Sequence, residues 1–351
     1  MINLLQVKGE VFMRRRKLRT VLTLCGIFYL AAAVLPLLSF CSVHEETENQ
    51  TSQQEKETEK QELSATEGSV FRLKDADGTI LTVEEAEFIK GGIAAEVPPT
   101  YEPEALKAQG VALYTYYSRL REQNRKQGGE EADFSCNTQA GLVYIPQEER
   151  KSRWGEQYEA WEKILTQVEE SIRGQTLLED GALLCSTYFA ISSGSTDKGE
   201  DVWGGDSPCL QAVASPGDVF APGYYSVVEM SEEQVKKAIM ETWPQAELGD
   251  EPSKWLSEMK RSGSGTVLEG KAGGQEATGT ELRNAFGLRS ANFTWTVENG
   301  KFTFQVKGWG HNVGMSQTGA QYMAQNGADY QQILAWYYPG SQLSGAEKQT
   351  V

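Results

Sequence analysis

The chain predicts an α+β fold: mixed sheets with packed helices, arranged as two lobes that flank a cleft. Three observations carry this. Short alternating runs joined by Asp-Gly and Asn-Gly pairs mark hairpins. Long helical segments with one small or apolar face mark packing helices. The two kinds follow one another without a regular strand–helix–strand alternation, as in an α+β domain. One N-terminal transmembrane helix precedes the domain.

"RRRKLRTVLTLCGIFYLAAAVLPLLSFCSV" opens with a basic cluster and continues as a mostly apolar run. We read residues 1–19 as a cytoplasmic basic segment and 20–42 as a transmembrane anchor, oriented by the flanking arginines. A cleaved signal peptide is the rival, but the run is long for its apolar region. A lipoprotein signal at Cys41 is disfavoured by the bulky Phe40 before it, and a start at Met13 would leave the same anchor. Residues 43–68 are Glu-, Gln-, Thr- and Lys-rich and read as a disordered acidic tether. The folded domain is expected over 69–343, with a tail over 344–351, outside the membrane.

Within the domain, "FRLKDADGTILTV" reads as a hairpin around Asp77-Gly78, and "TVEEAEFIKGGIAAEV" as a short helix or turn. "PEALKAQGVALYTYYSRLREQNRK" is a strong helix, with Pro103 in its first turn and Glu104 at its positive end. "GGEEADFSCNTQ" reads as a loop. "YEAWEKILTQVEESIRGQ" is a second amphipathic helix ending near Gly174. A hairpin follows around Asp180-Gly181. "SEEQVKKAIMETW" starts on a capping box, Ser231 with Gln234. "ANFTWTVENGKFTFQVKGWG" is the clearest hairpin, and the C-terminal segment is helical with a break at Gly327.

The formal net charge is −16. Residues 1–42 carry Lys8, Arg14, Arg15, Arg16, Lys17 and Arg19 against Glu10, a net +5 that leaves −21 on the remainder. An acidic body argues against nucleic acid, which is bound through basic faces. Of the five cysteines, Cys136, Cys185 and Cys209 lie in the domain, where one disulfide is compatible with an extracytoplasmic setting. No Cys-x-x-Cys pair or Cys/His cluster exists, so no metal and no cofactor is expected.

The chain has two histidines, and His44 falls in the tether. A Ser-His-Asp or Cys-His hydrolase would have to be built on His311, and no nucleophile elbow accompanies it. His311 sits in "VKGWGHNVGMSQTGAQYMA", among glycines, an aromatic Trp309 and the neutral groups Asn312, Ser316 and Gln317. Such groups suit a sugar better than a phosphate, although a tight bend with a backbone-satisfied histidine explains them equally well. Glu96, in "GGIAAEVPPTYEPEALKAQ", stands among Ala94, Ala95, Val97 and Pro98. Apolar neighbours raise a carboxyl's pKa, as a general acid near neutral pH needs. An exposed turn glutamate or a helix cap is an equal alternative.

Four stretches, "GGIAAEVPPTYEPEALKAQGVALYTY", "VWGGDSPCLQAVASPGD", "LRNAFGLRSANF" and "GWGHNVGMSQTGAQYMAQNGADYQQILAWYYPG", together resemble the stage II sporulation protein D family. The same domain occurs in enhancers of cell-wall amidases. The resemblance covers about residues 70–343 and implies a membrane-anchored peptidoglycan lytic transglycosylase with a glycan-binding cleft. Such an enzyme acts on glycan stripped of stem peptides and leaves 1,6-anhydromuramic ends. It maps the catalytic acid onto Glu96 and a lysine onto Lys107, and it places Ser192, Ser193, Thr196, Trp309, His311, Asn312, Ser316 and Gln317 along the glycan. The implied partners are a second wall hydrolase, an amidase or endopeptidase, and a membrane scaffold of the engulfment machinery.

The chain departs from the family pattern at three places. Leu113-Tyr114-Thr115-Tyr116 lacks the family's arginine. The run Phe189-Ala190-Ile191-Ser192-Ser193-Gly194 lacks the leading polar residues, while Ser192, Gly194, Thr196 and Trp203 remain. Around Cys136 the cysteines and histidine of metal-binding members are reduced to one cysteine. A non-catalytic glycan-binding enhancer of an amidase is the alternative function.

Overall fold

The computed structural model describes residues 70–129, 131–205 and 207–345. The expected basic segment, membrane anchor and tether lie outside them, as does most of the tail. Among the described residues no helix is long and apolar enough to cross a membrane.

The described chain is mixed α+β. Strands β1 (Val70–Lys74) and β2 (Ile80–Glu84) pair antiparallel, with Phe71 opposite Val83. Helix α1 (Glu85–Glu96) follows directly, where the sequence reads as a short helix or turn. It accommodates Gly91 for a packing reason. A Cβ there would lie 2.3 Å from the Tyr144 ring and 2.6 Å from the Ile145 carbonyl oxygen, so the glycine admits that segment against the helix. The helix stops because Val97 precedes a proline and is held extended (φ −137°, ψ 151°). That stop makes Glu96 the last helical residue.

Helix α2 (Pro103–Lys126) crosses the first lobe with Leu106, Val111 and Leu113 fully buried. The expected loop after it contains a two-residue strand, β3 (Phe134–Ser135), parallel to β1. Helix α3 (Gln147–Trp154) comes next, then α4 (Tyr158–Ile172), which packs on α1 and α2. Strands β4 (Thr176–Glu179) and β5 (Ala182–Leu183) form the hairpin expected at Asp180-Gly181. After β6 (Tyr188–Phe189) and the short α5 (Gly199–Trp203), a 3₁₀ turn runs over Pro216–Phe220.

A second lobe follows as an insertion. Strand β7 (Tyr225–Ser231) leads into α6 (Glu232–Thr242), whose capping box joins Ser231 and Gln234 in both directions. Strands β8 (Leu256–Arg261), β9 (Val267–Ala272) and β10 (Gln275–Thr278) form a meander closed by α7 (Gly279–Ala285). Strands β11 (Phe293–Glu298) and β12 (Lys301–Lys307) are the Asn299-Gly300 hairpin, and β7 lies beside β12.

The chain then returns to the first lobe through β13 (Met315–Ser316), α8 (Gln317–Gln325), α9 (Tyr330–Tyr337) and β14 (Gln342–Ser344). Each lobe has its own core. The first joins Phe71, Phe88, Ile93 and Leu106 to Ile333 and Tyr337. The fully buried residues of the second all lie between 235 and 306, and it stacks Trp255 on Phe302 and Phe286 on Phe304. Each fully buried aromatic contributes about 1.5–3 kcal/mol of transfer free energy.

Candidate active site

The end of α1 faces a pocket of about 210 Å³ lined by Glu96, Tyr116, Tyr117, Thr187, Tyr188 and His311. Four segments supply it: α1 the acid, the middle of α2 two tyrosines, the β6 region Thr187 and Tyr188, and the stretch between β12 and β13 His311. Glu96 is its one carboxylate. Burial pushes the Glu96 carboxyl above its ordinary value, and a hydrogen bond from Gln317 pulls the other way. Its place at a helix C-terminus acts with the burial, since the last carbonyls carry partial negative charge.

The other liners are neutral. Burial raises the phenols of Tyr116, Tyr117 and Tyr188, and the Glu96 carboxylate adds to this for the last two, so they remain proton donors. Burial pushes His311 down to about 4, against the raising effect of the Tyr188 carbonyl; Arg283 adds to the lowering. Its Nε2 lies 3.0 Å from the Tyr188 carbonyl oxygen, and its Nδ1 accepts from the Val313 N–H at 3.3 Å. The backbone thus selects the neutral Nε2–H tautomer. Phe189 and Trp203 flank the ring, with centroids 5.4 and 5.0 Å away.

The two polar segments singled out in the sequence lie side by side. Ile191 and Trp309 exchange backbone hydrogen bonds (3.0 and 2.7 Å), and Met315-Ser316 pairs in parallel with Tyr188-Phe189. What the glycines admit here is this neighbouring backbone: a Cβ on Gly314 (φ 82°) would lie 2.1 Å from the Thr187 carbonyl oxygen.

Of the ten residues expected at the site, Glu96 and His311 line the pocket and Gln317 touches it, donating from Nε2 to Glu96 Oε2 at 3.3 Å. Several others point elsewhere. Ser192, Ser316 and Thr318 all donate to the fully buried Asp218. Ser316 Oγ also caps α8 by accepting from the Gly319 N–H. Thr196 is buried, bonded to the Gln211 carbonyl and the Val213 N–H. Asn312 is held at positive φ (67°) and donates to Asp197 Oδ2 at 2.7 Å. Its Oδ1 accepts from the half-buried Ser193 N–H. Lys107 is paired with Glu104 at 2.6 Å and sits over the Tyr330 ring. Trp309 is 45% exposed beneath the Arg289 guanidinium, 4.4 Å from its ring centre. The structure does not bring these seven to the Glu96 pocket.

Sequence reasoning missed Tyr116, Tyr117, Thr187 and Tyr188 as pocket residues. The available signal was a cluster of tyrosines, Tyr114, Tyr116 and Tyr117, interrupting the small-residue face of a helix. The missing arginine takes a different meaning from its position. Tyr114, which stands there, turns from the pocket and donates to Glu85 Oε2 at 2.8 Å.

Among the described residues, Cys136, Cys185 and Cys209 are free thiols. Burial pushes the Cys136 thiol up to about 11, which disfavours a metal-binding thiolate. No three His, Cys, Asp or Glu side chains converge among the described residues as a metal site requires. The residues present therefore do not fit the metal held by some members of the family that the sequence resembles.

Comparison with known proteins agrees with the quoted motifs. Residues 75–178 match the model of the stage II sporulation protein family. Stage II sporulation protein D of Bacillus subtilis is 30% identical over 81% of both chains. That of Bacillus amyloliquefaciens is 29% identical over 92% of this chain and 94% of its own. An amidase enhancer of Bacillus subtilis is 25% identical over 73% of this chain and 40% of its own. The chain belongs to the stage II sporulation protein D family.

Proposed function

We propose that the protein is a lytic transglycosylase that cleaves the bond between N-acetylmuramic acid and N-acetylglucosamine in peptidoglycan during sporulation. The observation that carries this is the single carboxylate of the pocket, held in surroundings that favour its acid form. A hydrolytic glycosidase needs two carboxylates across the bond. One suffices when the sugar supplies its own nucleophile. Glu96 protonates the glycosidic oxygen as the C1–O bond breaks. The resulting carboxylate takes the proton of the muramic 6-hydroxyl, whose oxygen closes on C1. The products are a 1,6-anhydromuramic end and a free N-acetylglucosamine 4-hydroxyl; water is not consumed, and Glu96 ends protonated.

The neutral phenols and the neutral His311 suit an uncharged sugar ring. The substrate would be glycan freed of stem peptides, lying in a cleft that includes the Glu96 pocket. The apolar run 20–42 supports a single-pass anchor, with the domain in the space between septal membranes. A wall amidase or endopeptidase and a membrane scaffold of engulfment are the partners in this reading. Incubating the full chain with denuded glycan strands should release anhydromuramic products, and Glu96→Gln should abolish them. Full activity in Glu96→Gln, or no product from folded protein, would overturn the assignment.

A second reading is favoured by the amidase enhancer relative: a glycan-binding module that stimulates an amidase without cutting. Glycan co-sedimentation that survives Glu96→Gln, with amidase stimulation and no anhydromuramic product, would select it.

A further inference from the structure

The geometry points to Gln317 as a positioning residue for the Glu96 proton: its amide N–H occupies Oε2 and so leaves Oε1 to give and take the proton. This rests on the lytic reading of the same pocket. Among the described residues, the bond from Gln317 Nε2 is the one hydrogen bond that the Glu96 side chain makes. An amide N–H can face only an acceptor oxygen. In the acid form Oε2 is therefore the carbonyl oxygen and Oε1 bears the hydrogen.

Gln317 is built to hold this contact. It is 7% exposed and is the first residue of α8. The residues on both sides of it are tied to one buried carboxylate: Ser316 Oγ donates to Asp218 Oδ1 at 2.8 Å, and the Thr318 hydroxyl donates to the same oxygen. The Thr318 backbone N–H also donates to the Ala190 carbonyl at 3.1 Å. Ser192, from the neighbouring segment, donates to the other oxygen of Asp218. The serines thus fix the backbone that launches Gln317, and Gln317 fixes the acid. One consequence is mechanistic: the same oxygen, Oε1, must reach the leaving oxygen in the first step and the 6-hydroxyl in the second.

The test compares the full chain with Gln317→Met, which keeps side-chain length and removes the donor. The N–H favours the carboxylate, so its loss makes the acid form persist to higher pH. The alkaline limb of kcat should therefore move to higher pH. The kcat itself should fall about tenfold as the carboxyl loses its fixed orientation, with KM unchanged. A raised KM with unchanged kcat and limb would make Gln317 a sugar contact and overturn the proposal. A limb that moves down would also overturn it, because the amide oxygen would then be accepting the proton of Glu96.

A second measurement does not need turnover. The infrared carboxyl difference between wild type and Glu96→Gln reads the Glu96 titration directly. Its midpoint should be higher in the Gln317→Met background, and an unmoved midpoint contradicts the proposal even if the wild type cuts nothing.

Discussion

Helix α1 carries half-buried carboxylates near both of its ends, and their surroundings are opposite. Near the start, Glu87 faces the fully buried Arg150, which donates to it at 2.8 Å and to Glu162 with two further bonds; Lys90 joins both carboxylates. At the end, Glu96 meets phenols, a neutral histidine and one amide. Burial alone would raise the Glu162 carboxyl, but bonds from Arg150 and Lys90 hold it below its ordinary value. Burial does raise Glu96, since no cation opposes it. The partners, rather than the depth, decide whether a buried carboxylate is a strut or an acid.

Substitutions should separate the strut from the acid. Glu96→Gln should lower glycan cleavage by about 10²–10⁴-fold, the range of one general acid–base group. It should also raise the thermal midpoint at neutral pH. A carboxyl whose folded pKa is raised binds more protons folded than unfolded, so its stabilising contribution is lost as pH climbs through that window. The amide removes this loss. A lower midpoint would mean that Glu96 is a strut.

Arg150→Ala should do the reverse, costing about 3–5 kcal/mol because Glu87 and Glu162 lose their main cation. Urea unfolding at neutral pH reads this. A cost below about 1 kcal/mol would show that the cluster is well solvated.

His311 sets a pH signature between these extremes. Its folded value is about 4, below the ordinary 6.5, so the unfolded chain binds the extra proton between those values. Stability is therefore full above pH 6.5 and declines as pH falls toward 4. Linkage gives a loss of about 2 kcal/mol from this group between pH 7 and pH 5. The urea midpoint of His311→Gln should drop correspondingly less than that of wild type over the same interval, and an equal drop would refute a buried neutral histidine.

The smallest effect is expected at Tyr114→Phe, which removes the bond to Glu85 and should cost about 1 kcal/mol without altering cleavage. A cleavage defect of tenfold or more would show that the position given up by the arginine still serves the pocket.

Local chemistry made much of the fold readable. The Asn299-Gly300 and Asp180-Gly181 hairpins follow from turn residues, α2 from its first-turn proline and small face, and α6 from its capping box. Helix α3 escaped because its buried face is Arg150 rather than an apolar stripe. The strand β3 escaped because two residues carry no period.

At the site, apolar neighbours made Glu96 a candidate acid no better than an exposed turn glutamate or a helix cap, and the family resemblance singled it out. The pocket was not legible, because Tyr117 and Tyr188 come together from distant parts of the chain. Ser192 and Ser316 were expected along the glycan for the same reason: their shared partner, Asp218, is distant in sequence from both.

In the proposed reaction one carboxylate suffices because the sugar provides the nucleophile. Cleavage of denuded strands by the full chain in ¹⁸O-labelled water, followed by mass analysis of the new muramic ends, tests it directly. The ends should be lighter by one water than hydrolytic ends and free of ¹⁸O. Reducing ends that carry ¹⁸O would contradict it, since water would then be the nucleophile and a second catalytic group would be required.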